Sequence, residues 1–262
     1  MCKFTAMWRP RVLLAAMLAV SIATPGAWAD PAPVAQLRPT VLDRMYHDPA
    51  AFTEGLFLDG TSLYESSGQF GRSQLRELDA TSGQLRRAAA LPPTYFGEGI
   101  ADAGDHIWQL TYQNGIAIDW DKAAFTVRRE VPLSGDGWGL CRDGDRLIRS
   151  DGSAQLHFHR IDDMAETGSM TVTYNGTQLP GINSLDCSGN EIWANVWPTN
   201  HIVRIDATTG SVQAVVNADG LLDTPHANNV DVLNGIVRLD DDQFLLTGKN
   251  WPTMYRVRFT PA

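Results

Sequence analysis

Phe52-Thr53-Glu54-Gly55-Leu56 and, further on, Phe96-Gly97-Glu98-Gly99-Ile100 are near copies of one another. Gly137-Trp138-Gly139-Leu140, Asn183-Ser184-Leu185-Asp186 and Leu233-Asn234-Gly235-Ile236 continue the series, with aligned anchors at 55, 99, 139, 185 and 235. The spacings are 44, 40, 46 and 50 residues. About eight residues beyond each anchor comes an apolar pair: Leu63-Tyr64, Ile107-Trp108, Leu147-Ile148, Ile192-Trp193 and Phe244-Leu245. Between anchor and pair lie the corners Asp59-Gly60, Gly104-Asp105, Asp143-Gly144, Ser188-Gly189 and Asp240-Asp241, which read as hairpin turns.

An alternating third strand follows in each unit, clearest at Leu75–Asp79 and Ile202–Asp206, each closed by a Thr/Ser-Gly corner. A weaker fourth strand follows, as in Phe125–Arg128 and Val212–Val215. No stretch of this region holds a helical period. Four strands in each repeat of forty to fifty residues predict an all-β fold, a five-bladed β-propeller, because a blade buries its faces only against neighbouring blades. A β-sandwich does not predict repeated first-strand anchors. The last unit has no room for a fourth strand after Phe259. Thr40–Arg44 is therefore expected to supply it, so that an N-terminal strand closes the last blade and removes open edges. The propeller is assigned to residues 39–262 and a Pro/Ala-rich lead-in to 30–38.

First strands of a propeller line its channel, so their starting residues converge. Phe52, Glu54, Glu98, Trp138, Asn183, Ser184 and Asn234 occupy those starts. Such a set suits either a compact pocket for a small or terminal group or a plug of the channel.

Upstream, Lys3, Arg9 and Arg11 precede an apolar run from Val12 to Ala23, and Ala27-Trp28-Ala29 has the small-x-small pattern of a cleavage site. Residues 1–29 are thus expected to be a signal peptide, and the protein to be exported, periplasmic or secreted. Cys141 and Cys187 remain after cleavage. They sit at similar places in adjacent repeats and are either a disulfide or two buried thiols. The formal charge of −9 is the wrong sign for a nucleic-acid partner or an anionic membrane surface. A monomer is expected. No GxSxG, HExxH or phosphate-binding glycine loop is present. His157 and His159 share a strand face without an evident third ligand, so no metal and no cofactor is expected.

The quoted repeats, with Tyr64-Glu65-Ser66-Ser67-Gly68, Trp108-Gln109-Leu110-Thr111, Ser150-Asp151-Gly152, Ala194-Asn195-Val196-Trp197 and Thr247-Gly248-Lys249-Asn250-Trp251-Pro252, resemble the glutamine cyclotransferase family. These are glutaminyl-peptide cyclotransferases of the plant and bacterial type, and the likeness runs from Phe52 through Trp251. It implies a five-bladed propeller enzyme whose partners are peptides or proteins with an N-terminal glutamine. The α-amine attacks the γ-carboxamide, giving pyroglutamate and ammonia. Orientation and proton transfer are the help such an intramolecular acyl transfer needs. By the resemblance, Glu98 is the proton shuttle, and Lys249 orients it or stabilises charge on the amide oxygen. Phe52, Trp138 and Trp197 correspond to aromatic pocket walls and Asn183 to an amide that fixes the glutamine side chain. Gln109 and Asn195 are weaker correspondences. Trp108, Trp193 and Trp251 are read as blade packing.

The chain departs from the family pattern at three places. The family usually has Gln at Glu54, Trp at Tyr112, and Asn-Glu-Leu-Glu at Asn183-Ser184-Leu185-Asp186. Glu54 adds a second carboxylate near Glu98, which pushes one of the two pKa values upward and offers a partner to the substrate ammonium. Two other readings compete: a propeller that binds peptide ends without turnover, and a metal-dependent, lactonase-like hydrolase.

Overall fold

The computed structural model describes residues 1–3, 33–222, 229–240 and 242–262. Residues 4–32, which hold most of the expected leader and the start of the expected lead-in, lie outside the described residues, as do His226 and Asp241. The chain divides into two compact units, Met1–Ala32 and Pro33–Ala262. Among the described residues no helix is long and apolar enough to cross a membrane.

The second unit is all β. It opens with β1 (Ala35–Tyr46). A four-stranded antiparallel sheet follows: β2 (Thr53–Asp59), β3 (Ser62–Ser67), β4 (Gln74–Asp79) and β5 (Leu85–Ala90). The same order recurs in β6 (Gly97–Asp102), β7 (His106–Thr111), β8 (Ile116–Asp121) and β9 (Thr126–Pro132). It recurs again in β10 (Leu140–Asp143), β11 (Arg146–Ser150), β12 (Gln155–Arg160) and β13 (Glu166–Thr171). A small hairpin, β14 (Thr173–Tyr174) and β15 (Thr177–Gln178), precedes β16 (Ile182–Ser188), β17 (Glu191–Val196), β18 (His201–Asp206) and β19 (Val212–Asn217). Last come β20 (Leu233–Arg238), β21 (Gln243–Gly248) and β22 (Thr253–Pro261).

The innermost strands β2, β6, β10, β16 and β20 neighbour one another in cyclic order, and β20 returns to β2. That ring makes the molecule a β-propeller. It explains the repeated glycines: a Cβ on Gly99 would stand 2.5 Å from Leu140 N, so only glycine lets adjacent first strands approach this closely. Gly99 N donates to Trp138 O at 2.6 Å, Ser150 Oγ to Asn183 O at 2.8 Å, and Asn234 Nδ2 to Thr53 O at 3.0 Å. These bonds satisfy inner polar groups and tie neighbouring sheets together near the channel.

Apolar burial follows the same plan. Leu56, Leu63 and Leu78 pack on Val237, Leu245 and Met254, while Tyr64 and Leu75 pack on Ile107, Ile118 and Trp120. The core is a set of seams between sheets, as stacked blades require. One seam is also covalent: Cys141 on β10 and Cys187 on β16 form a disulfide, with Cα atoms 5.7 Å apart.

Strand β1 pairs antiparallel with β22 from Leu37↔Pro261 to Tyr46↔Thr253. It is longer at both ends than the expected Thr40–Arg44, and residues 35–38, read from sequence as lead-in, belong to it. The reason is a second partner: Ala35–Leu37 also pair in parallel with Ala214–Val216 of β19, which orders the chain beyond the β22 ladder.

Candidate active site

The starts of the inner strands surround a cavity of about 260 Å³. Glu54, Glu98 and Asn183 are the second residues of β2, β6 and β16, Trp138 lies just before β10, and Lys249 follows β21. All five line the cavity, with Phe52, Tyr112 and Trp197. Eight of the nine residues expected from sequence are therefore together. The exception is Gln109, which is fully buried behind the wall. Its Nε2 donates to Ser66 Oγ at 2.7 Å and its Oε1 accepts Trp120 Nε1 at 3.0 Å.

The charged groups form a chain. Lys249 Nζ lies 2.8 Å from Glu54 Oε1, and Asn234 Nδ2 donates to Glu54 Oε2 at 2.9 Å. Glu98 is the neighbouring buried carboxyl, close enough to feel the Glu54 charge. Glu54 is 1 % exposed, Glu98 6 % and Lys249 8 %, so water screens little of this. Burial pushes the Glu54 carboxyl up to about 7, with the Lys249 ammonium pulling the other way. Burial raises Glu98 well above the usual carboxylate range, and the neighbouring Glu54 charge raises it further. Two neighbouring buried carboxyl groups hold one proton between them more readily than they ionise together. The site can thus hold one proton ready and one carboxylate open near neutrality.

Aromatic rings make the remaining walls. Phe52 and Phe70 both meet the Phe96 ring edge-on, at 6.0 and 5.4 Å, and Tyr112 meets it at 5.9 Å. Trp138 and Trp197 form a perpendicular pair at 5.6 Å. Phe70 and Phe96 were not singled out from sequence. Phe96 stands in the repeated anchor, one position before the strand, and that register was the available signal. Phe70 lies in the β3–β4 turn, where no repeat marks it. The Trp138 indole rests on Gly152, whose φ of +79° and missing side chain leave room for the ring.

Two polar atoms in these walls stand out. Among the described residues, the buried Trp138 Nε1 and Asn183 Oδ1 find no hydrogen-bond partner. One is a donor and the other an acceptor, the complement of a primary carboxamide. By contrast, Trp108, Trp193 and Trp251 each donate Nε1 within the fold, to Ile161 O, Glu191 Oε2 and Asp231 O. Asn195 Oδ1 accepts Gly235 N at 3.1 Å.

A larger cavity, about 350 Å³, lies further along the same inner strands, between Leu56–Leu58, Ile100–Asp102, Leu140–Arg142, Leu185–Cys187 and Val237–Arg238. Asp186 there is raised to about 6 by burial. This end has neither the aromatic walls nor the carboxylate pair. His157 touches Asp151 and Glu166, at 3.0 and 3.1 Å. Among the described residues no group of three or more His, Cys, Asp or Glu side chains is arranged to hold a metal.

Comparison with known proteins bears on this geometry. Residues 12–259 match the family described as glutamine cyclotransferase. A glutaminyl-peptide cyclotransferase of Arabidopsis thaliana is 36% identical over 223 residues, covering 82% of this chain and 69% of the relative. The crystal structure of Myxococcus xanthus glutaminyl cyclase superposes with a TM-score of 0.81 at 32% identity, covering 88% of this chain and all of the other.

Proposed function

The chain belongs to the glutamine cyclotransferase family, and on that footing we propose that it converts the N-terminal glutamine of peptides and proteins to pyroglutamate, releasing ammonia. The observation that carries this reading is the buried, unpartnered donor and acceptor, Trp138 Nε1 and Asn183 Oδ1, on residues that line the same cavity as the Glu54 and Glu98 carboxyl groups. A glutamine carboxamide satisfies that pair: its oxygen accepts from Trp138 and its NH₂ donates to Asn183. The aromatic walls enclose the methylenes and exclude water.

The α-ammonium is then directed to the acidic side of the pocket, where Glu54 and Glu98 lie. Loss of a proton to this pair frees the nucleophile. The amine attacks the γ-carbon and the N–C bond of the lactam forms. The carboxyl proton of Glu98 passes to the departing nitrogen as the old C–N bond breaks, and the lactam nitrogen returns a proton to the same carboxylate. The first proton leaves with ammonia as ammonium, so the pair ends as it began. No covalent intermediate is needed, and most of the acceleration comes from holding amine and amide in contact. Lys249 acts chiefly on Glu54 and through it on Glu98. The leader-like stretch before Asp30 and the disulfide support work outside the cytoplasm, on exported substrates.

The test is ammonia release from a Gln-initiated peptide by the purified protein, with and without a chelator, alongside mass analysis of the peptide. Release that survives chelation supports the reading. Peptide binding without release favours the non-catalytic alternative, and chelator-sensitive turnover favours the lactonase-like one.

A further inference from the structure

We propose that His47, outside the cavity, is a positioning residue that sets the Lys249–Glu54 pair, acting together with Glu65. The inference rests on the cyclase reading above and deepens it. His47 is the first residue after β1 and is fully buried. Its Nδ1 lies 2.5 Å from Trp251 O and its Nε2 2.8 Å from Glu65 Oε1. Thr247 Oγ1 stands 3.2 Å from Nδ1, and Thr53 Oγ1 donates to the same Glu65 oxygen at 2.7 Å. On its other side Glu65 meets Arg76, whose Nη1 is 3.2 Å from Oε2, and Arg76 Nη2 continues to Asp48 at 2.8 Å.

The placement of those partners gives the knot its meaning. Thr53 is next to Glu54 on β2. Thr247 and Trp251 bracket Lys249, two residues before it and two after. The backbone repeats the pattern: His47 N donates to Pro252 O at 3.1 Å, and Asn250 N to Ala51 O at 2.8 Å. Asn250 Nδ2 reaches Pro49 O at 3.0 Å. Residues 47–51 therefore strap the turn that presents Lys249, and the imidazole ties that turn to the strand that presents Glu54. Both ring nitrogens face oxygens that accept. The Trp251 carbonyl has no proton to give, and Glu65 is held below the usual carboxylate range, because His47, Arg76 and Thr53 together outweigh its burial. A buried polar knot of this kind, with its Glu65–Arg76 ion pair, adds little stability over apolar packing of the same volume. What it adds is fixed direction, and here the direction is toward the two ends of a 2.8 Å contact in the active site.

The experiment reads the pH dependence of kcat/KM for a Gln-initiated peptide, whose acid-side midpoint does not depend on how much enzyme is folded. The groups facing Glu54 are Lys249, Glu98 and Asp231, and the groups facing Glu98 are Glu54, Lys249 and Asp136. Lys249 pulls Glu54 downward, so loosening Lys249 moves the midpoint up. His47→Phe should lower kcat about ten- to a hundredfold, as small misplacements do, and raise the midpoint, as Lys249→Met does. Adding His47→Phe to Lys249→Met should raise it no further. His47→Gln, which keeps a donor toward Trp251 O, should recover part of the loss. An unmoved midpoint in His47→Phe, or equal shifts with and without Lys249, overturns the inference. Should His47→Phe fail to fold, His47→Gln and Glu65→Gln give the same reading on the same terms. A wild-type protein that releases no ammonia takes down the cyclase reading and this one together, whereas an active wild type with an unmoved variant midpoint takes down this one alone.

Discussion

Lys249 Nζ lies 2.8 Å from Glu54 Oε1, and Glu54 is in turn the neighbour whose charge raises Glu98. Glu98, the proposed proton carrier, also feels the Lys249 charge, but burial and the Glu54 charge outweigh that pull. Glu98 stays a weak acid while Glu54 carries the anionic share. Each property of the pair leads to a measurable outcome.

Glu98→Gln removes the proposed shuttle and keeps the shape. Turnover should fall roughly 10²–10⁴-fold, the range for loss of a positioned acid–base group. Because Glu98 is raised well above the usual range, its neutral form is the one at home in this site, and the amide should leave the melting temperature within a few degrees. Ammonia release and thermal unfolding on the same sample check both halves, and retained turnover removes Glu98 from the mechanism.

Lys249→Met deletes the charge that lowers Glu54. Its pKa, already about 7 through burial, then rises. The acid limb of kcat/KM should move to higher pH by about one unit, as loss of an opposite charge does. A pH–rate profile from 5 to 9 decides it.

Glu54→Gln should change how stability depends on pH. Glu54 has a folded pKa of about 7 against an ordinary 4.5. A raised carboxyl contributes its stability in full below the ordinary value and loses it as pH rises through the folded one. The wild type should therefore weaken between about pH 5 and pH 8. In Glu54→Gln that fall should be shallower by about 1–3 kcal/mol. Denaturant unfolding at both pH values reads the difference, with Asp186, raised to about 6, contributing equally to both proteins.

Gly152→Ala acts on the pocket wall from behind. A Cβ there would stand 2.7 Å from the Trp138 ring, and the φ of +79° is strained for alanine. The indole must shift into the cavity, so KM for a Gln-initiated peptide should rise severalfold while stability drops by about 1–2 kcal/mol. Steady-state kinetics with a melting curve test it; an unchanged KM would falsify the role given to Trp138.

Replacing Cys141 and Cys187 together by Ala releases β10 from β16. The bridge spans 46 residues of sequence, so unfolding free energy should drop by about 2–4 kcal/mol. Activity per folded molecule should change little, since both cysteines lie at the end of the channel away from the carboxylates. Urea unfolding with and without reductant provides the comparison.

The anchors at 55, 99 and 139 made the ring legible, because glycine is what closely spaced inner strands require and the requirement repeats. The same register exposed Glu54, Glu98 and Trp138, each fixed by its distance from an anchor. Residues off that register were harder to place. Gln109 was carried in by resemblance, but it sits on β7, the second strand of its sheet, and spends its amide between Ser66 and Trp120. Phe70 and His47 sit in connections, where neighbours come from loops and no period reports them. The split role of Lys249 was also beyond the sequence. Two carboxylates compete for one ammonium, and only distances decide between them.

The long pairing of β1 with β22 has a further consequence. Thr40 Oγ1 lies 3.0 Å from Thr260 Oγ1 across 220 residues of chain, so the first of the described strands has its principal partner in the last. Until residues 253–261 are available, the circle of sheets stays open, with one bare edge on each side of the gap. Contacts this distant slow folding and leave such edges able to pair with another chain. Locking the circle is therefore a late step, and the interval before it is when the protein is most vulnerable to its own neighbours.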